Sequence, residues 1–333
     1  MYDAILIVSF GGPEGMDDVI PFLENVLRGR NVPRERMLQV AKHYELFGGV
    51  SPINEQNRKL INALKLELEK NGPQLPIYWG NRNWHPLLVD TLQQMAKDGI
   101  RNALAFVTSA YSSYSSCRQY LEDIARAREA VGPNAPRIQK IPAFYNHPGF
   151  IEANAANLND ALNRIPEERR QEVQVAFTAH SIPKSMADNS KYESQLLEAS
   201  RLVAEAANHP HWRLVFQSRS GPPTQPWLEP DVCDYLKELK PGSTTDVVIA
   251  PIGFVSDHME VVYDLDTKAR KACEELGLNM VRASTAGTHP AFVGMIRELI
   301  NERMSSERES CVEGCCPKGE LMKPAGASDP SRP

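Results

Sequence analysis

Short uninterrupted apolar runs alternate with amphipathic stretches along most of this chain. Ala4-Ile-Leu-Ile-Val-Ser9, Ile77-Tyr-Trp-Gly80, Ala103-Leu-Ala-Phe-Val-Thr108, Val173-Gln-Val-Ala-Phe-Thr-Ala179, Arg213-Leu-Val-Phe-Gln217 and Asp246-Val-Val-Ile-Ala-Pro-Ile-Gly-Phe-Val255 are the clearest. A strand with one wet face would alternate polar and apolar residues; these do not, so the pattern predicts strands buried on both faces of parallel sheets. Weaker strand signals lie at Gln139 to Phe144 and Asn279 to Ala283. Between them the helical period is read at 17–29, 33–47, 55–71, 87–98, 118–130, 150–163, 191–207, 231–239, 257–276 and 290–305. Asn146-His-Pro-Gly149 punctuates the alternation, which then restarts. The expected fold class is therefore α/β with two Rossmann-like domains, residues 1–147 and 148–289, each a parallel sheet flanked by helices. A closing helix is read at 290–305, and a polar, Pro-rich tail at 306–333 is expected to be largely disordered.

The chemistry concentrates where two of these strands end. Pro251-Ile-Gly-Phe-Val-Ser-Asp-His-Met-Glu260 runs into Val261-Val-Tyr-Asp-Leu-Asp266, with Ser256 and Asp257 suited to cap a helix. At helical spacing Glu260 and Asp264 share a face, and two like charges so placed call for something positive between them, with a divalent cation the natural candidate. First-turn acids are also favoured by the helix dipole alone. A second strand end supplies His180, followed by Ser181-Ile-Pro183. In open α/β sheets ligands sit beyond the carboxyl ends of the strands, so the histidine and the acids are expected to face one cleft. The remaining histidines, 43, 85, 147, 209, 211 and 289, stand beside turns or prolines and are read as structural or solvent-facing.

Composition narrows the classes. With 333 residues, 42% hydrophobic, 24% charged and a net charge of −5, the chain is long enough for two domains and lacks a nucleic-acid footprint. No apolar run approaches the ~18 residues needed to span a bilayer. The start, Met1-Tyr-Asp-Ala, has no signal-peptide pattern, and a cytoplasmic enzyme is expected.

Thr178-Ala-His-Ser-Ile-Pro183 and Pro251 to Glu260, in this order, resemble the two signature motifs of the ferrochelatase family. Ser9-Phe-Gly-Gly-Pro13, Gly48-Gly-Val-Ser-Pro-Ile-Asn54, and Gln217-Ser-Arg-Ser-Gly-Pro-Pro223 with Pro226-Trp-Leu-Glu-Pro230 extend the resemblance from about residue 3 to about residue 305. It implies chelatase-type domains with a porphyrin cleft between them, and a lyase that inserts Fe²⁺ into a porphyrin for heme b synthesis. Tyr111 to Tyr120 and Ser218 to Asp231 look most like coproporphyrin III chelatases of actinobacterial type, with protoporphyrin IX the alternative substrate. A cobalt or nickel chelatase, and a porphyrin- or iron-binding protein without turnover, are the other readings.

By the same resemblance His180 and Glu260 carry catalysis and hold the iron, and Asp264 continues the carboxylate line as a relay. Family members often place a third acid one turn further, where this chain has Lys268. Ser51, Tyr120 and Phe10 fall at porphyrin-contacting positions; Ser51 also fits a helix N-cap before Pro52. Some members carry an iron-ligating tyrosine where Phe10 stands, a contact phenylalanine cannot make. Porphyrin and ferrous iron are the expected partners, with a monomer that meets neighbouring heme-pathway enzymes transiently.

The tail adds Ser310-Cys-Val-Glu-Gly-Cys-Cys-Pro317. Some ferrochelatases hold a 2Fe-2S cluster on three C-terminal cysteines and one internal one, which here implies Cys311, Cys315, Cys316 and Cys117. The spacing departs from the common form, and zinc or an uncommitted end are the alternatives.

Overall fold

The computed structural model describes residues 2–305 except 30, 31, 223, 241 and 243. Its first half runs β1 (Ala4–Ser9), α1 (Met16–Val26), α2 (Arg34–Glu45), α3 (Ile53–Asn71), β2 (Ile77–Asn81), α4 (Leu88–Lys97), β3 (Asn102–Val107), α5 (Gln119–Val131) and β4 (Arg137–Lys140). The second half runs α6 (Pro148–Leu162), β5 (Gln174–His180), α7 (Lys184–Asp188), α8 (Tyr192–Ala206), β6 (Trp212–Gln217) and α9 (Val232–Leu239). It continues through β7 (Asp246–Ala250), α10 (Met259–Tyr263), α11 (Arg270–Leu276), β8 (Asn279–Arg282) and α12 (Pro290–Ser305). Every strand pairing is parallel, in the orders β2-β1-β3-β4 and β6-β5-β7-β8. The α/β class with two four-stranded parallel sheets is as expected.

The inner strands owe their unbroken apolar character to helices on both faces. In β1, Ile5 and Ile7 point to one face, Ala4, Leu6 and Val8 to the other, and all are buried. The second group meets α4 and α5 through Leu92, Met95, Tyr120 and Ile124. The first joins Val175, Phe177 and Val248 of the second sheet in a continuous core built with α3, α6 and α12. The two sheets thus share apolar filling across residue 147. The closing helix packs on α3 of the first half and on α6 of the second.

Three local expectations are corrected. The strand expected over 246–255 ends at Ala250. Pro251 cannot donate to the ladder, and Gly253 instead turns its N–H to the Thr178 carbonyl at 2.9 Å, carrying the chain over the end of β5. The helix expected over 257–276 runs from Met259 to Leu276 with a π-helical turn, Asp264–Ala269, between α10 and α11; its cap is His258, whose Nδ1 accepts from the Glu260 N–H, rather than Ser256 or Asp257. Ser51 does not cap α3. That helix begins after Pro52 without a side-chain cap, and Ser51 is buried against the Phe10 loop.

The close passage at Gly253 makes a test. A Cβ there would lie 2.6 Å from the Ala179 Cβ and 2.7 Å from its Cα, so backbone rather than a flexible tip obstructs it. Gly253→Ala is expected to destabilise the protein by about 1–3 kcal/mol through forced displacement of the strand end. A urea denaturation curve with an unshifted midpoint would refute this.

Candidate active site

His180 is the last residue of β5 and Glu260 the second residue of α10, one sheet position away. Nδ1 of His180 donates to the Ser181 carbonyl at 2.5 Å, which orients the ring and leaves Nε2 3.3 Å from Glu260 Oε1. The Tyr192 hydroxyl donates to the His180 carbonyl at 3.0 Å, and Gln217 Nε2 donates to the Glu260 carbonyl at 2.9 Å. Backbone at both ends of the pair is therefore pinned by buried side chains. His258, beside the acids, is engaged by Nδ1 as the helix cap, and its ring stands edge-on to Phe254 at 4.8 Å.

The two side chains set each other's charge. Burial works against the imidazolium, but the Glu260 carboxylate outweighs it and raises the His180 pKa to about 9. Burial likewise works against the Glu260 carboxylate, and His180 holds its pKa down to about 2. At neutral pH the metal-free pair is an imidazolium–carboxylate contact. Both side chains keep a route to solvent, with exposures of 31% and 45%, so an arriving ion can reach them. The pair stabilises the fold fully only between ordinary values of about 4.5 and 6.5, and its contribution fades as pH climbs towards about 9 or falls towards about 2. His258 titrates below its ordinary value because burial disfavours its charge, and it caps as a neutral ring.

Asp264 opens the π-helical turn and is buried. Its carboxylate accepts from the Ser218 hydroxyl and from Lys268 Nζ at 2.7 Å. The positive charge that two nearby acids demand is thus supplied from within, by His180 for one and Lys268 for the other. Burial disfavours the Lys268 ammonium, yet Asp264 keeps its pKa above the ordinary lysine value. A cavity of about 160 Å³ opens beside this group, lined by Gln217, Ser218, Arg219, Asp231, Asp264 and Lys268 among others.

The facing wall comes from the first half. Phe10, Phe22, Tyr44 and Trp84 form an edge-to-face aromatic group that packs with Met259 and Val262 of α10. His43 of α2 stacks on Tyr263 with ring centroids 3.8 Å apart, and Lys268 Nζ sits 4.8 Å from the same Tyr263 ring. His43, read from sequence as bland, is thus a contact between the two halves. Phe10 belongs to this group. Tyr120 is buried in the core under β1, beneath the Arg82 guanidinium at 4.5 Å, and Arg82 also lies 5.6 Å from the Phe10 ring and pairs with Asp123. Any influence of Tyr120 on a ligand at Phe10 passes through Arg82. Ser51 sits behind the Phe10 loop, where a Cβ on Gly12 would meet its Oγ at 2.8 Å.

Cys117 is buried in the turn before α5, while Cys311, Cys315 and Cys316 lie outside the described residues. Among the described residues no three His, Cys, Asp or Glu side chains converge on a metal position. Gln217, Ser218 and Tyr192 escaped the sequence reading as site residues, although Gln217 ends a strand in the same sheet and the strand-end rule could have flagged it.

An open two-donor position at adjoining strand ends suits an ion in transit, because a storage or structural site would enclose its metal in protein ligands. The scaffold, two four-stranded parallel sheets flanked by helices, is the fold of chelatases. A solved structure of SirB from Bacillus subtilis with Fe3+ shares the fold, with a TM-score of 0.58 at 14% identity over 93% of this chain and 100% of that one. The chain belongs to the ferrochelatase family, whose model matches residues 2–304. A ferrochelatase of Rhodopirellula baltica is 57% identical over 95% of this chain and 93% of its own length. A coproporphyrin III ferrochelatase of Streptomyces coelicolor is 48% identical over 99% and 97% respectively. The activity is that of a lyase inserting ferrous iron into a porphyrin, within heme synthesis. No helix among the described residues is long and apolar enough to cross a membrane.

The charge state of the pair predicts a pH effect. A metal ion must displace the His180 proton, so affinity for Co²⁺, a stand-in for Fe²⁺, is expected to rise about tenfold per pH unit between about pH 6 and 8. In Glu260→Gln the imidazole loses its main counter-charge while burial still works against its charge, so its pKa falls and the slope flattens at lower pH than in the parent. Calorimetry finding a parent affinity independent of pH would show that His180 gives up no proton to the metal.

Proposed function

We propose that the chain inserts Fe²⁺ into coproporphyrin III, with His180 and Glu260 as the metal-holding and proton-accepting pair. The observation that carries this reading is the His180–Glu260 contact at 3.3 Å, part-exposed and facing the aromatic wall that contains Phe10. A porphyrin supplies four nitrogens to the metal, so the protein needs only a partial ligand set. As the dication arrives at Glu260, the electrostatic support for the imidazolium is lost and the His180 proton leaves. Once the ion has passed to the porphyrin, Nε2 of the neutral ring is free to take one pyrrole proton and the Glu260 carboxylate the other, and both go on to solvent, two for each iron inserted. Asp264 serves as a relay carboxylate that exchanges its Lys268 partner for the passing ion. Ser51 and Tyr120 act from behind the wall, the first on the Phe10 loop and the second through Arg82.

Coproporphyrin III is favoured over protoporphyrin IX by several relatives at 47–50% identity that are named coproporphyrin III ferrochelatases. The same proposal takes the protein as a cytoplasmic monomer that meets neighbouring heme-pathway enzymes transiently. Residues 1–147 with 290–305, and residues 148–289, are taken as its two domains. It also includes the 2Fe-2S cluster on Cys117, Cys311, Cys315 and Cys316, supported by the family resemblance alone and outside the chemistry.

Steady-state insertion into the two porphyrins tests the substrate, with coproporphyrin III expected to show the higher kcat/KM; the reverse order would overturn the choice. Stoichiometric rather than catalytic loss of porphyrin fluorescence would reduce the protein to a binder. His180→Ala is expected to abolish insertion in a folded protein, and Glu260→Gln to cut kcat by about 100-fold or more with porphyrin binding nearly intact. Equal loss of porphyrin binding in the latter would make Glu260 structural. For the cluster, protein purified without oxygen should be reddish and lose its visible absorption on Cys315→Ser. Colourless, iron-free protein would leave the tail uncommitted.

A further inference from the structure

Glu260 lies in the first turn of a helical run from Met259 to Leu276 whose winding changes in the π-helical turn at Asp264–Ala269. The direction in which Glu260 points therefore depends on what holds the N-terminal end of that run against the sheet. The structure provides a bracket. Arg282, the last residue of edge strand β8, reaches the chain on both sides of α10. Its Nη1 and Nη2 donate to the two carboxylate oxygens of Asp257 at 3.1 and 3.0 Å, a two-pronged pairing, and its Nε donates to Asp266 Oδ1 at 2.7 Å. Asp257 precedes α10 by two residues, and Asp266 lies in the π-helical turn that follows it. Nη1 also donates to the Ala283 carbonyl at 3.3 Å, tying the guanidinium back to its own strand.

The clamp is largely sheltered, with Arg282 17% and Asp257 16% exposed, so solvent screens it less than a surface pair. It is joined to the other half of the molecule as well. The Asp257 N–H donates to Gln56 Oε1 of α3 at 2.7 Å, which places the bracket where the first half meets the metal-site segment.

We infer that Arg282 is a positioning residue for iron insertion: by gripping Asp257 and Asp266 it sets the angle of α10 and holds Glu260 opposite His180. It touches neither reactant. The inference rests on the reading of His180 and Glu260 as the metal pair. A planar fork is needed, because a lysine ammonium could reach one carboxylate oxygen but could not span both acids.

The consequence is a split between metal and porphyrin. In Arg282→Met, kcat/KM for Fe²⁺ is expected to fall about 100-fold while porphyrin affinity, read by fluorescence, stays within about twofold of the parent. Arg282→Lys should recover little. Methylguanidinium at tens of millimolar should restore about tenfold in Arg282→Met and nothing in the parent. Hydrogen exchange should quicken over 257–266 and stay unchanged in β5. Insertion within about threefold of the parent, or a loss shared equally by porphyrin binding and untouched by methylguanidinium, would overturn the inference. If Arg282→Met does not fold, Asp266→Asn removes one arm alone; iron kinetics unchanged there would overturn it equally. Co²⁺ titration of His180→Ala separates the two layers. Undiminished binding in that variant would sink the metal-pair reading, whereas lost binding there together with parent-like binding in Arg282→Met would sink the clamp.

Discussion

The contact between His180 and Glu260 joins the end of a central strand to a helix of five residues, and most of the second half serves to bring those two groups together. The strand end is fixed by the ladder and by Tyr192 on its last carbonyl. The helix is fixed by its neighbours, through Gln217 on the Glu260 carbonyl, the His258 cap and the Arg282 grip on either side. Opposite charges placed 3.3 Å apart in a half-sheltered position hold each other ionised. That mutual stabilisation gives the metal-free state its rest position, and a dication is what disturbs it.

The arrangement separates rigidity from access. Both sheets share one core with α3, α6 and α12, so the strand ends form a firm base. Around the reactive pair the contacts are of a different kind: stacked rings at His43 and Tyr263, edge-to-face aromatics around Phe10, and a lysine balanced between Asp264 and the Tyr263 ring. These interactions are individually modest and can be exchanged for contacts with a flat ligand at small net cost. The buried links between the halves, Tyr111 to the Ile252 carbonyl and Gln56 to the Asp257 N–H, lie just outside that zone and keep the walls in register.

Much was legible without coordinates. Strands buried on both faces announce themselves as unbroken apolar runs, so the parallel α/β class followed from β1, β3, β5 and β7. The rule that ligands gather beyond strand ends singled out His180 and Glu260, and the motifs around them carried the family. Local geometry that depends on a neighbour did not follow. The path of residues 251–258 is set by Gly253 passing over Ala179, a residue some seventy positions earlier in the chain. The π-helical turn that begins at Asp264, after an ordinary bond from the Asp264 N–H to the Glu260 carbonyl, could not be read from the helical period. Lys268, which on the sequence only marked a missing acid, became the counter-charge of Asp264 once folding set them 2.7 Å apart. Tyr120 moved from the cleft to the core behind Arg82, because its helix faces the sheet at that position. Periodicity and strand-end chemistry are properties of a chain segment and survive in one dimension. Pairing of charges and close passage of backbones are decided between distant segments, and only the tertiary structure brings those within reach of each other.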